Sequence, residues 1–274
     1  MVTKLELLVL VLACYLAEAS LQERDFRSIT VAASGGVEFL IQDSLGRRSG
    51  YDPRTAKRYD EINQSYGVFS IDSENPSVPA PEPVKEFMTY APVDGNYTVT
   101  VFGTRSSPYR LSMTLSRGIR DGADYDFGGV VDSNIVVQYQ FRYTSVPHEP
   151  MSAFKVVRLQ TLREDLRTCY TLKFVGEKEL YNDLTRRLDK LDKYLSDKDS
   201  SKARHELEKF QEKIDQVRKE TVKTEQKKAK PPKHFISKDA YDILTEDVTL
   251  LLKQLPIDKK GKGGKQSNRL QQKS

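Results

Sequence analysis

Three aspartates lie close together in the segment Asp121-Gly122-Ala123-Asp124-Tyr125-Asp126. Calcium takes oxygen ligands, and acidic loops often supply them, so Asp121, Asp124 and Asp126 are candidate calcium ligands. The segment lacks the twelve-residue pattern with a terminal Glu that defines an EF-hand loop. An acidic surface turn is the alternative interpretation.

The same carboxylates are candidates for hydrolytic chemistry, because glycoside hydrolysis uses a pair of acidic residues that distant strands can supply. Asp94 joins the three aspartates as a candidate for that role. The sequence contains no nucleophile elbow, no His-Glu-x-x-His motif and no phosphate-binding loop. We therefore expect a protein without catalytic residues, with a small secreted hydrolase as the alternative.

The three histidines are His148, His205 and His234. They fall in a predicted linker, on a predicted helix and in a predicted basic loop. None of them has a second His or a Cys at the spacing that zinc sites use, so the sequence predicts no zinc site.

Basic residues are concentrated near the C-terminus. The candidate binding lysines of a Lys-rich loop over residues 221–233 and of a disordered tail over residues 256–274 are Lys227, Lys228, Lys230, Lys233, Lys259, Lys260, Lys262 and Lys265. Such runs attract anionic polymers, which for an exported protein means acidic polysaccharide, although a solvated, solubilising tail is the alternative.

The N-terminus has the pattern of a secretory signal peptide. Lys4 precedes an apolar run over residues 7–16, and Ala17-Glu18-Ala19 forms a small-x-small cleavage site. The run is shorter than the roughly 20 residues that span a bilayer, and no later run approaches that length. We therefore predict a signal peptide over residues 1–19 and an exported protein, with lipidation at Cys14 as the alternative.

Export bears on the cysteine and asparagine residues of the mature chain. After cleavage Cys169 is the only thiol, and its apolar neighbours favour burial over reactivity. Asn63 and Asn96 begin Asn-x-Ser/Thr sequons, which would be glycosylated if the source is eukaryotic.

Composition and charge predict two domains. Hydrophobic residues make up 38% of the 274 residues and charged residues 30%, enough apolar material for a core. Residues 21–150 carry 13 Lys and Arg against 17 Asp and Glu, a net −4, whereas residues 151–274 carry 30 against 20, a net +10. An acidic half is thus joined to a basic half.

Residues 21–145 predict an antiparallel β-sandwich of roughly eight strands, because short β-branched and aromatic runs alternate with turn residues. Residues 95–103 follow an Asp94-Gly95 turn, and with residues 109–116 they are predicted to form a hairpin with one apolar face. The segments GRRSGYDP (46–53), INQSYG (62–67), PVDGNYTV (92–99) and YRLS (109–112) resemble the accessory β-sandwich modules beside catalytic or von Willebrand A domains in secreted bacterial proteins. The resemblance implies a non-catalytic module.

Residues 156–255 predict a small antiparallel helical bundle after a linker over residues 146–155. Leucines from Leu180 to Leu195 recur at helical spacing, and a second series follows from Ala203 to Val217. Ser237 is a predicted N-cap for a last helix that Pro256 ends. Residues 162–166, 184–195, 203–210 and 236–244 resemble the FIMAH domain, a helical module of some bacterial secreted enzymes, and this resemblance implies no catalytic residues.

The predicted fold class is therefore α+β in separate domains. The expected function is that of a secreted, non-catalytic binding or scaffolding protein at a cell surface or in extracellular matrix. Its expected partner is an extracellular polysaccharide or protein, bound through the sandwich loops and the basic half. A calcium-dependent adhesin is a further alternative.

Overall fold

The computed structural model describes residues 26–62, 64–69, 83–227 and 232–256, and for residues 64–66, 68 and 69 it describes the backbone alone. Several predictions lie outside these residues: the signal peptide with Cys14, the sequon at Asn63, and the lysines Lys228, Lys230, Lys259, Lys260, Lys262 and Lys265. None of the described helices has the length and apolar character needed to cross a membrane.

The N-terminal region is an antiparallel β-sandwich, as predicted. Its strands are β1 (Ser28–Gly35), β2 (Val37–Gln42), β3 (Arg48–Asp52), β4 (Lys57–Asp60), β5 (Gln64–Phe69), β6 (Val84–Tyr90), β7 (Gly95–Gly103), β8 (Ser107–Ser116), β9 (Gly122–Val131), β10 (Val136–Tyr143) and β11 (Ser152–Val156). One sheet has the order β5-β6-β1-β8-β9 and the other has the order β11-β10-β7-β2-β3-β4.

Alternating side chains build the sandwich core. In β8 every second residue from Ser107 to Leu115 is buried, and in β10 the same holds from Val137 to Tyr143. A pleated strand places alternate side chains on opposite faces, so each sheet presents one apolar face. Tyr97 stacks on Phe141 within this core, with ring centroids 4.8 Å apart.

The predicted hairpin of β7 and β8 is wrong, because the two strands lie in different sheets. The chain also changes sheet between β1 and β2 and between β9 and β10. An alternating pattern shows that one face is buried but does not show whether the next strand pairs in the same sheet or lies in the facing one. The predicted acidic turn at residues 121–126 is instead mostly the beginning of β9.

The helices are α1 (Leu159–Thr171), α2 (Lys178–Ser196), α3 (Ser200–Gln226) and α4 (Lys238–Gln254). The N-cap predicted at Ser237 is confirmed, and α3 has a side-chain N-cap as well. Asp199 accepts a hydrogen bond from the backbone N–H of Lys202 at 3.0 Å, and Ser237 accepts one from Ala240 at 3.1 Å.

The Lys-rich loop predicted from residue 221 begins later, because α3 continues to Gln226. Thr221 is buried; its hydroxyl donates to the carbonyl of Val217 and accepts from the N–H of Ile236. These hydrogen bonds stabilise the last turns of α3. The polar sequence of these turns had predicted a loop instead.

Contacts divide the chain into two compact units. One takes in the described residues up to Phe102 together with Tyr109–Phe127 and Gln138–Lys155. The other takes in Gly103–Pro108, Gly128–Val137 and the described residues from Val156 onward. The segment predicted as a linker, residues 146–155, contains most of β11.

Candidate functional site

Loops from both sheets meet at the end of the sandwich where β1 begins. Ser28 pairs with Tyr90 of β6 and with Ser116 of β8, so the segments after those two strands lie beside the start of β1. The turn after β2 and the segment after β10 reach the same end through Asp94, as described below. We call this surface the loop end and define it as residues 26–27, 43–47, 90–94, 117–121 and 144–149.

Asp94 joins three segments of the loop end. Its carboxylate accepts hydrogen bonds from the N–H of Ser145 at 2.9 Å and from the Ser145 hydroxyl at 3.0 Å. Its carbonyl accepts one from the hydroxyl of Ser44 at 3.0 Å. Gly95 follows with φ +132°, and a Cβ there would lie 2.5 Å from the Cβ of Ser44, so this close approach requires glycine. Asp94, a candidate hydrolytic residue, therefore has a positioning role.

Arg117 fastens the opposite side of the loop end. Its largely buried side chain donates to the carbonyl of Thr144 at 3.0 Å and to the carbonyl of Glu149. It also forms an ion pair with Asp121 at 3.2 Å. The turn between β8 and β9 is thus fixed to the segment after β10 by one guanidinium, whose planar set of donors suits several acceptors at once.

Large apolar side chains on the loop end are exposed. Of the seven exposed large hydrophobic residues in the described part of the chain, five lie here, with 47 to 77% of their surface accessible: Phe26, Leu45, Tyr90, Ile119 and Val146. Single exposed apolar residues are ordinary, but a concentration of them on one surface is typical of a binding site.

The structure does not bring the candidate calcium ligands together into a site. Asp124 accepts a hydrogen bond from Thr114 at 2.7 Å, Asp121 pairs with Arg117, and Asp126 is exposed on β9. Asp132, which follows the other end of β9, accepts from Ser106 at 2.6 Å, and this bond lowers the pKa of its carboxyl group.

The other candidate residues that the structure describes are scattered. Asn96 is exposed on β7, and Lys227 and Lys233, two lysines of the predicted Lys-rich loop, are exposed. Cys169 is fully buried in the helical core, which agrees with the interpretation as a small apolar residue.

The structure brings together one cluster of side chains of metal-ligand type that the sequence analysis did not predict. The Nε2 atom of His234 lies 3.1 Å from a carboxylate oxygen of Glu177 and 3.6 Å from one of Glu179. Among the described residues, this is the group of three ligand-type side chains whose ligand atoms all lie within 4.8 Å of one another. We call it the Glu-His cluster.

A short backbone pairing positions the Glu-His cluster. Val175 and Ile236 form an antiparallel bridge, flanked by hydrogen bonds of 2.8 Å from Gly176 to Phe235 and from Ser237 to Phe174. Glu177 follows one strand of this bridge and His234 precedes the other. The two residues are 57 positions apart in sequence, so spacing rules for metal sites do not find them. The local sequence offers only Gly176 and Phe235, which lie beside them and mark the close approach of the two segments.

Comparison with known proteins finds no matching family model, no matching curated protein and no matching solved structure. The resemblances to accessory β-sandwich modules and to the FIMAH domain therefore stay predictions.

Proposed function

We propose that this chain is a secreted, non-catalytic binding protein that recognises a protein partner through the loop end. The observation that carries the proposal is the concentration of exposed apolar side chains at one end of the sandwich: Phe26, Leu45, Tyr90, Ile119 and Val146. Export rests on the predicted signal peptide over residues 1–19.

The rigidity of the loop end supports a binding role. Asp94 and Arg117 fix four of its five segments to one another through hydrogen bonds. A surface that is already ordered loses little conformational entropy when it binds, so more of the contact energy appears as affinity.

The kind of side chain favours a protein over a polysaccharide as the partner of the loop end. Leu45, Ile119 and Val146 are aliphatic, and such side chains gain free energy by burial against apolar surface rather than against hydroxyl groups. Tyr90 and Phe26 add aromatic surface of the kind found at the energetic centre of protein interfaces. The exposed Lys227 and Lys233, with the lysines of the tail, supply a separate attraction to anionic polymer.

Two alternatives carry less weight. A hydrolase would use Asp94, Asp121, Asp124 or Asp126, yet Asp94 and Asp121 already accept hydrogen bonds that fasten the loop end. A calcium-dependent adhesin would use Asp121, Asp124 and Asp126. Calcium binding to the folded state must raise the melting temperature with calcium concentration, and a chelator must reverse the rise.

The proposal is tested with the chain from Ser20 onward, screened against an array of extracellular proteins and against glycans. We expect binding to a protein that withstands 0.5 M salt and weakens at least tenfold in the double variant Tyr90→Ser, Ile119→Ser. Phe154→Ser is the control, because Phe154 is an exposed aromatic residue on β11 outside the loop end. Binding only to glycans, or loss of binding in both variants alike, would contradict the proposal.

A further inference from the structure

We propose that the Glu-His cluster is a zinc site, in which Glu177, Glu179 and His234 bind one ion and leave a fourth position open to solvent. Zinc accepts imidazole nitrogen and carboxylate oxygen, and sites with three protein ligands keep the fourth position for water or another ligand. The proposal concerns the helical unit and does not rest on the function proposed for the loop end.

The distances from His234 to the two carboxylates fit a tetrahedral ion. Ligand atoms about 2.05 Å from zinc lie about 3.3 Å from one another at the corners of a tetrahedron. The separations of 3.1 Å and 3.6 Å from His234 to the two carboxylates fall on either side of that value. The two carboxylate oxygens lie within 4.8 Å of each other, so they need to approach each other by at most about 1.5 Å to bind zinc.

The site is preorganised by the backbone that carries it. The Val175–Ile236 bridge fixes the chain on both sides, and Glu177 itself has φ +64°, which is rare for a residue with a side chain. That conformation ends the bridge and places Glu177 and Glu179 at the start of α2. The N-terminus of a helix carries about half a positive charge, which disfavours a cation, and the two carboxylates of the cluster offset that charge.

Glu179 is accessible at an open cavity on the protein surface. Glu179 lines this cavity together with Asn182, Thr185 and Arg186, and its volume is about 670 Å³. The side chain of Glu179 is 83% exposed, so a bound ion remains accessible from solvent. A hydrogen-bonded pair of His234 and Glu177 without metal is the competing explanation of the same geometry.

The test uses the full chain from Ser20 onward, stripped with a chelator and titrated with zinc chloride by calorimetry. We expect one zinc ion per chain, a melting temperature that rises with zinc concentration, and visible d–d absorption when cobalt(II) replaces zinc. Glu179→Gln and His234→Asn should each weaken zinc binding at least tenfold. Because Glu179 is exposed, its variant tests binding without endangering the fold.

The chain offers a matched control in His205 and Glu208, an exposed pair on α3 whose nearest atoms are 4.0 Å apart. His205→Asn should leave zinc affinity and the cobalt spectrum unchanged. If the wild-type chain binds no zinc at 100 µM, or if His234→Asn binds it as tightly as wild type, the cluster is a hydrogen-bonded pair and the proposal fails.

Discussion

At the scale of single residues, Gly176 shows how closely the two segments of the bridge approach. A Cβ at this position would lie 2.1 Å from the ring of Phe235, so alanine can be accommodated only if the ring or the backbone moves. We expect Gly176→Ala to lower the free energy of unfolding by roughly 1–3 kcal/mol, as is usual for overpacking. Urea unfolding measures this, with Gly118→Ala as the control, because a Cβ at Gly118 meets nothing within 4 Å.

Asp52 gives a prediction about pH. It is buried at the end of β3 and accepts hydrogen bonds from the backbone N–H of Arg54 at 2.9 Å and from the Arg54 guanidinium at 3.0 and 3.1 Å. The guanidinium bonds lower the pKa of the Asp52 carboxyl group below its usual value. A lowered pKa means that the carboxylate stabilises the fold at pH values above about 4 and that this stabilisation is lost as the pH falls through the folded-state pKa.

Asp52→Asn should therefore be less stable than wild type by about 1 kcal/mol at pH 7, and the difference should shrink as the pH falls below about 4. Urea unfolding at a series of pH values measures it. In an Arg54→Gln background the same substitution should cost less, because the partner of the carboxylate is already gone. A difference between wild type and variant that stays constant down to pH 2 would show that the ion pair does not stabilise the fold.

At the scale of secondary-structure elements, the helical periodicity predicted α2 and its apolar face, but not where that face stops being buried. Leu184 is fully buried, whereas Leu195, on the same predicted stripe, is 37% exposed near the end of the helix. We expect Leu184→Ala to cost roughly 2–5 kcal/mol and Leu195→Ala under about 1 kcal/mol. Thermal and urea unfolding of the two variants compares them directly, and equal losses would mean that Leu195 is buried in solution.

Which features could be predicted from sequence depends on how far apart along the chain the interacting residues lie. The cap at Ser237 acts within four residues, so local sequence was enough to place it. The pairing of β7 and β8 depends on strands far away in the chain, and a period of two is the same in either sheet. The Glu-His cluster depends on the Val175–Ile236 bridge, which joins segments 61 residues apart. The turn at Asp94-Gly95 was predicted from sequence, but the concentration of apolar side chains on the loop end needed the strand register.

At the scale of the whole molecule, the uneven charge separates two kinds of binding. Residues 257–274 carry six Lys and Arg against one Asp, a net +5. A chain that ends at Pro256 therefore loses most of its net positive charge. Attraction between a basic segment and an anionic polymer is screened within about 10 Å at 0.1 M salt, whereas burial of apolar surface is not weakened by salt at this concentration. The tail and the loop end are therefore distinguishable by their response to salt and to truncation.

We expect the chain from Ser20 to Ser274 to be retained by immobilised heparin at low ionic strength and to elute at a clearly higher salt concentration than the chain ending at Pro256, because each lysine that approaches the polymer releases counterions. Binding to the protein partner of the loop end should be the same for both chains and should survive the salt that elutes heparin. The double variant Tyr90→Ser, Ile119→Ser should behave in the opposite way to the truncated chain. It should be retained on heparin as the full chain is, and it should bind the protein partner more weakly. If truncation removes both activities, partner recognition belongs to the basic tail and the loop end has another role.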